Sequence, residues 1–175
     1  MKKSFASGFF GAALVTCSTI AYAGDIGEVD TAFQFIGPNH KIKVSGFPDP
    51  QIEGVTCFIS RPITGGVMGG LGLAEDPSDA SIACRQTGPI NVKGNILTTP
   101  KGDLIIDEKR SAFFKTLNVQ RFFDAETGSF VYLTYSTKLI NGSPKNSISV
   151  VTPQSWEGAA PKGINNLPKP LTPRP

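Results

Sequence analysis

The sequence predicts a mainly β domain: an antiparallel sandwich or barrel-like meander with at most one or two short helical turns and one disulfide. Three observations predict it. Apolar and polar residues alternate over most of the chain, turn-forming residues punctuate the runs, and two cysteines fall on the apolar phase of separate runs. Period two sends successive side chains to opposite faces, so each run reads as a strand with one buried face.

The runs follow one another with little interruption. Val29, Thr31, Phe33 and Phe35 share one side of the first, and Ile42 with Val44 alternates against Lys41, Lys43 and Ser45 in the second. Val55, Cys57 and Ile59 alternate with Thr56, Phe58 and Ser60, and Ala80, Ile82 and Cys84 with Ser81, Ala83 and Arg85. Val131, Leu133 and Tyr135 are the apolar phase of a later run, and Ile148 with Val150 repeats the theme. Gly37-Pro38-Asn39, Pro48-Asp49-Pro50, Gly88-Pro89 and Asn141-Gly142-Ser143-Pro144 read as turns. The segment Asp124 to Gly128 joins strands over roughly Ala112–Phe123 and Ser129–Lys138 as a hairpin. A helical turn fits only near Asp76–Ala80, where Asp76 caps and Pro77 takes the first helical position.

The ends differ in kind from this middle. Lys2 and Lys3, an apolar run from Phe9 to Val15 and the small-x-small site Ala21-Tyr22-Ala23 form the pattern of a secretory signal peptide over residues 1–23, with cleavage between Ala23 and Gly24. The apolar run is too short to span a bilayer, which takes about 20 residues. A lipoprotein box at Leu14-Val15-Thr16-Cys17 competes with this reading, but Thr16 stands where such boxes have Gly, Ala or Ser. Cleavage of 23 from 175 residues leaves 152, enough for one domain with a real core. Residues 158–175 hold five prolines and three basic residues without an acid, and read as a disordered, extended tail. The domain proper is then 24–157.

Charge and cysteine count narrow the classes. Residues 24–157 carry 12 basic against 14 acidic residues, which gives no basis for nucleic-acid binding, and no remaining stretch is apolar enough for stable membrane insertion. After cleavage two cysteines remain, and an even pair in an exported chain reads as a Cys57–Cys84 disulfide. The ring it closes, about 28 residues, is worth about 3.5 kcal/mol in the chain-entropy model.

Candidate chemistry is thin. Gly65, Gly66, Gly69, Gly70 and Gly72 crowd one segment, but Leu71 stands where a phosphate-binding loop needs lysine. An anion nest with Arg61 upstream competes there with glycines serving a surface loop. His40 is the sole histidine and reads as a surface residue at a strand edge; no Gly-x-Ser-x-Gly elbow accompanies it. Glu75, Asp76 and Asp79 form a tight acidic group without calcium-loop spacing. No catalytic residue, metal site or cofactor is assigned.

Several motifs together resemble the CreA family of bacterial periplasmic proteins. They are Ile26-Gly27-x-Val29-Asp30-Thr31, Ile36-Gly37-Pro38-x-His40-Lys41-Ile42, Val55-Thr56-Cys57-x-x-Ser60-Arg61, Gly69-Gly70-Leu71-Gly72-Leu73-Ala74-Glu75-Asp76 and Gly142-Ser143-Pro144-Lys145-Asn146. The resemblance implies export to the periplasm, a retained cysteine pair and a periplasmic or inner-membrane sensor protein as partner; it carries over no catalytic residues. Two readings of function follow. The preferred one is a non-enzymatic binding or accessory protein of the cell envelope, with Arg61, Gly65, Gly66, Gly69, Gly70, Glu75 and Asp76 as contact surface. The alternative is an envelope hydrolase whose acidic residues converge only in the fold. N-terminal sequencing of the exported protein is expected to begin at Gly24; a chain starting at an acylated Cys17 or retaining Met1 overturns the cleavage assignment.

Overall fold

The computed structural model describes residues 24–32, 40–64, 80–107, 117–140 and 143–168. Eight strands follow in chain order: β1 (Gly24–Ala32), β2 (His40–Pro48), β3 (Ile52–Thr64), β4 (Ser81–Val92), β5 (Asp103–Ile106), β6 (Leu117–Asp124), β7 (Ser129–Ile140) and β8 (Ser143–Val151). They form two four-stranded antiparallel meanders, β1-β2-β3-β4 and β5-β6-β7-β8. The only helical element among the described residues is a 3-10 turn at Ile164–Asn166. Residues 76–79 of the expected helical turn lie outside the described residues.

The first sheet is stapled where the alternation predicts. Cys57 and Cys84 stand directly opposite each other in β3 and β4, are fully buried, and form the disulfide. Val55, Ile59 and Ile82 share their face, and with Ile52, Ile90, Phe130 and Tyr132 they build the core between the sheets. The hairpin Asp124–Gly128 also forms as expected, with Asp124 and Ser129 paired at its mouth.

The sheets meet along β4 and β8 through side chains. Ser149 Oγ accepts from Cys84 N at 2.8 Å, and Gln86 bonds both the carbonyl and the N–H of Gln154 at 2.9 Å. A row of polar side chains thus satisfies backbone groups that an open strand edge would leave unpaired.

Four expectations of phase are corrected. In β7 Phe130, Tyr132, Thr134 and Ser136 are buried on the inner face, with Ser129 buried at the strand's start, while Val131, Leu133 and Tyr135 are half-buried on the other face. In β8, Ser149 and Val151 are buried, while Ile148 is 63% and Val150 52% exposed. In β2, Ser45 and Phe47 turn inward, and Ile42 is exposed. Strand β1 lies at the sheet edge with Val29 66% exposed; Phe33 and Phe35 lie outside the described residues. Polar partners decide these phases. Ser149 must face β4 to satisfy Cys84 N, and β1 is held by ion pairs of Glu28 with Lys41 and of Asp25 with Lys43. A shift of one residue in register would turn every such partner to the wrong face.

The expected tail from residue 158 is corrected over its first part. Trp156 and Ala159 bond each other's backbone across Glu157 and Gly158, both at positive φ as a type I′ turn requires. The chain then runs beside β4, where Lys162 N donates to Ile90 O at 2.9 Å and Val92 N donates to Lys162 O at 3.0 Å. Gly163 adopts φ +76°, and a Cβ there would lie 2.5 Å from Val92 O. Leu167 ends in the core and Ile164 packs against it. Composition suggested disorder, but two apolar residues and one strand-like backbone pair suffice to dock the segment. Residues 169–175 lie outside the described residues. Burial of a leucine is worth about 1.5–3 kcal/mol, so truncation after Glu157 is expected to lower Tm by roughly 4–8 °C. Calorimetry tests this, and an unchanged Tm would show the docked segment to be dispensable.

Candidate functional site

The described residues offer three places where chemistry or contact concentrates. The first is a polar cluster between the sheets. Arg121 stands on the inner phase of β6 with Leu117, Val119 and Phe123, and its side chain is fully buried. A guanidinium cannot lose its charge in a protein, so burial requires partners. Arg121 Nη1 donates to Asp49 Oδ1 at 2.6 Å, and Nη2 donates to Gln51 Oε1 at 2.6 Å and Asp103 Oδ2 at 2.7 Å. Tyr132, directly opposite Arg121 in β7, donates to Asp49 Oδ2 at 2.8 Å.

Local geometry supplies these partners. The Pro48-Asp49-Pro50 turn ends β2, and there Asp49 Oδ1 also accepts from Gln51 N at 2.8 Å and Ile52 N at 2.9 Å. Asp103 opens β5 after Gly102, whose φ of +61° brings the chain so close that a Cβ would lie 2.3 Å from Arg121 O. Burial alone pulls the Arg121 guanidinium pKa down, but the charge and hydrogen bond of Asp49 and the hydrogen bond of Asp103 outweigh it and hold the cation. Burial, then the Asp49 charge, push the Tyr132 hydroxyl far above its ordinary value, so it stays protonated as a donor.

Chemically, this arrangement holds rather than reacts. Asp49 accepts four hydrogen bonds and is closed to solvent, which leaves no oxygen lone pair aimed at a substrate. The two carboxylates that converge in the fold share the one cation between them.

The second place is a cavity of about 440 Å³ between the segment after β4 and the docked C-terminal segment. Val92, Ile96 and Leu167 form apolar wall, and Asn95, Thr98 and Asn166 supply polar groups. No titratable side chain lines it. Gln51 Nε2 donates to Asn95 O at 3.4 Å, so the cavity wall adjoins the Arg121 cluster.

The third is the outer face of the second sheet. Phe122, Val131 and Val150 stand in one cross-strand row, and Leu133 with Ile148 in the next. Leu104, 48% exposed, extends the second row through Gln120. The same face carries Gln120 and Asn118, with Asp124 at its hairpin end, whereas the inner face holds Arg121, Thr134, Ser136 and Ser149.

The residues expected to form a contact surface are distributed differently. Arg61 is half-buried in β3, opposite Lys43 of β2. Gly65, Gly66, Gly69, Gly70, Glu75 and Asp76 lie outside the described residues, as do Ala23 and the signal segment. His40 begins β2, and its carbonyl accepts from Thr31 Oγ1 at 3.0 Å. Asp49, Gln51, Asp103, Arg121 and Tyr132 were not expected as a group. The readable signal was Arg121 alone: a charge on the apolar phase of a strand.

Losing one partner of a buried pair costs about 3–5 kcal/mol, because the other charge stays buried. Asp49→Ala is expected to destabilise by that amount, and Tyr132→Phe by about 1–3 kcal/mol, both read from urea unfolding. The raised Tyr132 pKa means the unfolded chain gives up this proton first. Its stabilisation is therefore complete below about pH 10 and lost above it, and Tyr132→Phe is expected to make the alkaline decline shallower. An unchanged alkaline slope would refute the assigned role.

A family model described as "CreA protein" matches residues 26–156. Protein CreA of Escherichia coli strain K12 is 48% identical over 144 residues, covering 82% of this chain and 92% of that protein. The proteins of the same name from Escherichia coli O6:H1 and O157:H7 give the same figures. No solved structure matches the chain. The family match spans both sheets, the disulfide and the Arg121 cluster, and on this ground the chain belongs to the CreA family.

Proposed function

We propose that this chain is an exported, periplasmic accessory protein of the cell envelope that acts by binding a partner protein, with the outer face of the second sheet as its contact surface. The observation that carries the reading is the inversion of β7 and β8, which leaves Val131, Leu133, Ile148 and Val150 outside and polar groups within. Contiguous apolar surface of this kind marks contact sites in proteins that are otherwise soluble. The Lys2-Lys3, Phe9–Val15 and Ala21-Tyr22-Ala23 pattern and the buried disulfide support an oxidising, extracytoplasmic compartment. An inner-membrane sensor protein fits the role of partner. The glycine-acid segment from Gly65 to Asp76 is a second contact element in this proposal, flanked by β3 and β4 on either side of the disulfide.

The reading favours binding over hydrolysis because the acids that do converge, Asp49 and Asp103, are both taken up by Arg121. A photo-reactive residue at Val150 is expected to crosslink an envelope protein in intact cells, and Ile148→Asp is expected to abolish the adduct while export and Tm persist. Hydrolysis of an envelope glycan by the purified protein, lost in Asp103→Asn and retained in Ile148→Asp, would overturn the proposal.

A further inference from the structure

Strand β4 has β3 on one side, and on the other the docked C-terminal segment takes the place of a strand. Lys162 pairs with Asn91 in parallel, donating to Ile90 O and accepting from Val92 N. From there the chain sends Leu167 into the core, and Ile164 packs against it. This is the geometry of an added strand: main-chain bonds hold the segment, and a pocket takes one of its side chains. The occupant is held lightly. Lys162 makes both backbone bonds to β4, and Asn165 and Asn166 stay exposed. The segment also fills the groove incompletely, since the cavity of about 440 Å³ lies between Asn166, Leu167 and the wall at Val92, Asn95 and Ile96. The family match ends at residue 156, so the groove lies within it and Lys162 to Leu167 lie beyond it.

We infer that this edge of β4 is a peptide-binding groove, closed in this chain by its own C-terminal segment, and that the partner it fits is an extended segment of another protein. The groove is separate from the outer face of the second sheet and does not rest on that reading. The seated segment defines the partner's chemistry. The partner runs parallel to β4 and has glycine after the paired residue, because a Cβ on Gly163 would lie 2.5 Å from Val92 O. It carries a leucine-sized residue spaced as Leu167 is from Lys162, and a bulky uncharged side chain where Asn166 stands. The cavity sets that last requirement. Val92 and Ile96 offer apolar wall, and Asn95 and Thr98 offer neutral hydrogen-bonding groups. An aromatic ring with a polar edge matches this lining, and a charge does not. The wall is preformed: Lys93 N donates to Gln51 O at 2.7 Å and Leu97 N to Asp103 Oδ2 at 3.0 Å, which ties it to partners of Arg121. Tethering gives the chain's own segment an effective concentration in the millimolar range, so weak contacts suffice to dock it. A partner with the better side chain displaces it, and the segment acts as a built-in competitor.

Fluorescence anisotropy with synthetic peptides of residues 159–168 is the test, on the full mature chain carrying Gly163→Val. That substitution sets a side chain against Val92 O and undocks the segment, while β4 and the wall at Asn95 to Thr98 keep their residues. Leu167→Asp, which undocks the segment by a charge, is the second carrier. The unmodified peptide is expected to bind both variants, and its Asn166→Trp form to bind about tenfold tighter. N-methylation at Lys162, which removes the donor to Ile90 O, is expected to weaken binding about tenfold or more. The unsubstituted protein is expected to bind each peptide about tenfold or more weakly than the variants, because its own segment competes. In that protein, excess Asn166→Trp peptide is expected to speed amide hydrogen exchange at Lys162, the sign that the segment has been displaced. No binding to either variant, a methylated peptide that binds as well, a tryptophan peptide that binds no better, or unchanged exchange at Lys162 each overturns the inference.

Discussion

Most of this architecture depends on one buried cation. Arg121 lies between two sheets that are continuous in neither sequence nor hydrogen bonding, and it binds Asp49 and Gln51 from the first and Asp103 from the second. A permanently charged guanidinium in a dry interior is tolerable only when its charge is paired, and here Nη1 and Nη2 do the pairing while Nε has no partner. The β2–β3 turn must therefore approach β6, and Tyr132 must face the same way as Arg121. These demands orient the second sheet. Once Arg121 and Tyr132 are inside, period two puts Val119, Phe130 and Thr134 inside with them and sends Phe122, Val131 and Leu133 out. Buried ion pairs are weak evidence for net stability, since apolar replacements often do as well. What this one supplies is register: a slipped strand strands a charge.

The seam between β4 and β8 works by the same logic with weaker groups. Ser149 and Gln86 substitute for a missing strand, so the sheets approach without merging into one hydrogen-bonded barrel. The disulfide lies at this seam, because Cys84 supplies both the bridging sulfur and the N–H that Ser149 accepts. The docked segment from Ala159 to Leu167 closes the neighbouring end of the core against β4. Covalent, polar and apolar constraints thus converge on one strand.

This economy has a consequence for function. Polar residues used inside leave apolar residues on the outer face of the second sheet, the face proposed above as the contact surface. The cluster that resembles a reactive centre by its composition is closed to solvent and turns its carboxylates onto Arg121, whose Nε alone is buried without a partner, while the apolar residues of β7 and β8 stand on the opposite face. In the proposed reading, the contact surface follows from the same choice of phase that stabilises the fold.

Much of this was legible in the sequence. Alternation, turn residues and the shared apolar phase of Cys57 and Cys84 determined a β meander, its hairpin at Asp124–Gly128 and its disulfide, because those features depend on neighbours two residues away or on a single covalent pair. The motifs from Ile26 to Asn146 determined the family. Only the tertiary structure decided which face of β7 and β8 is buried, because that choice rests on Asp49, 72 residues from Arg121 and 83 from Tyr132, and local hydropathy cannot weigh so distant a charge. It likewise decided that Lys162 and Leu167 dock, since a Pro-rich segment gains order only from the groove that β4 happens to present. Periodicity reports that a strand has two faces; the buried partners of its polar residues decide which one faces water.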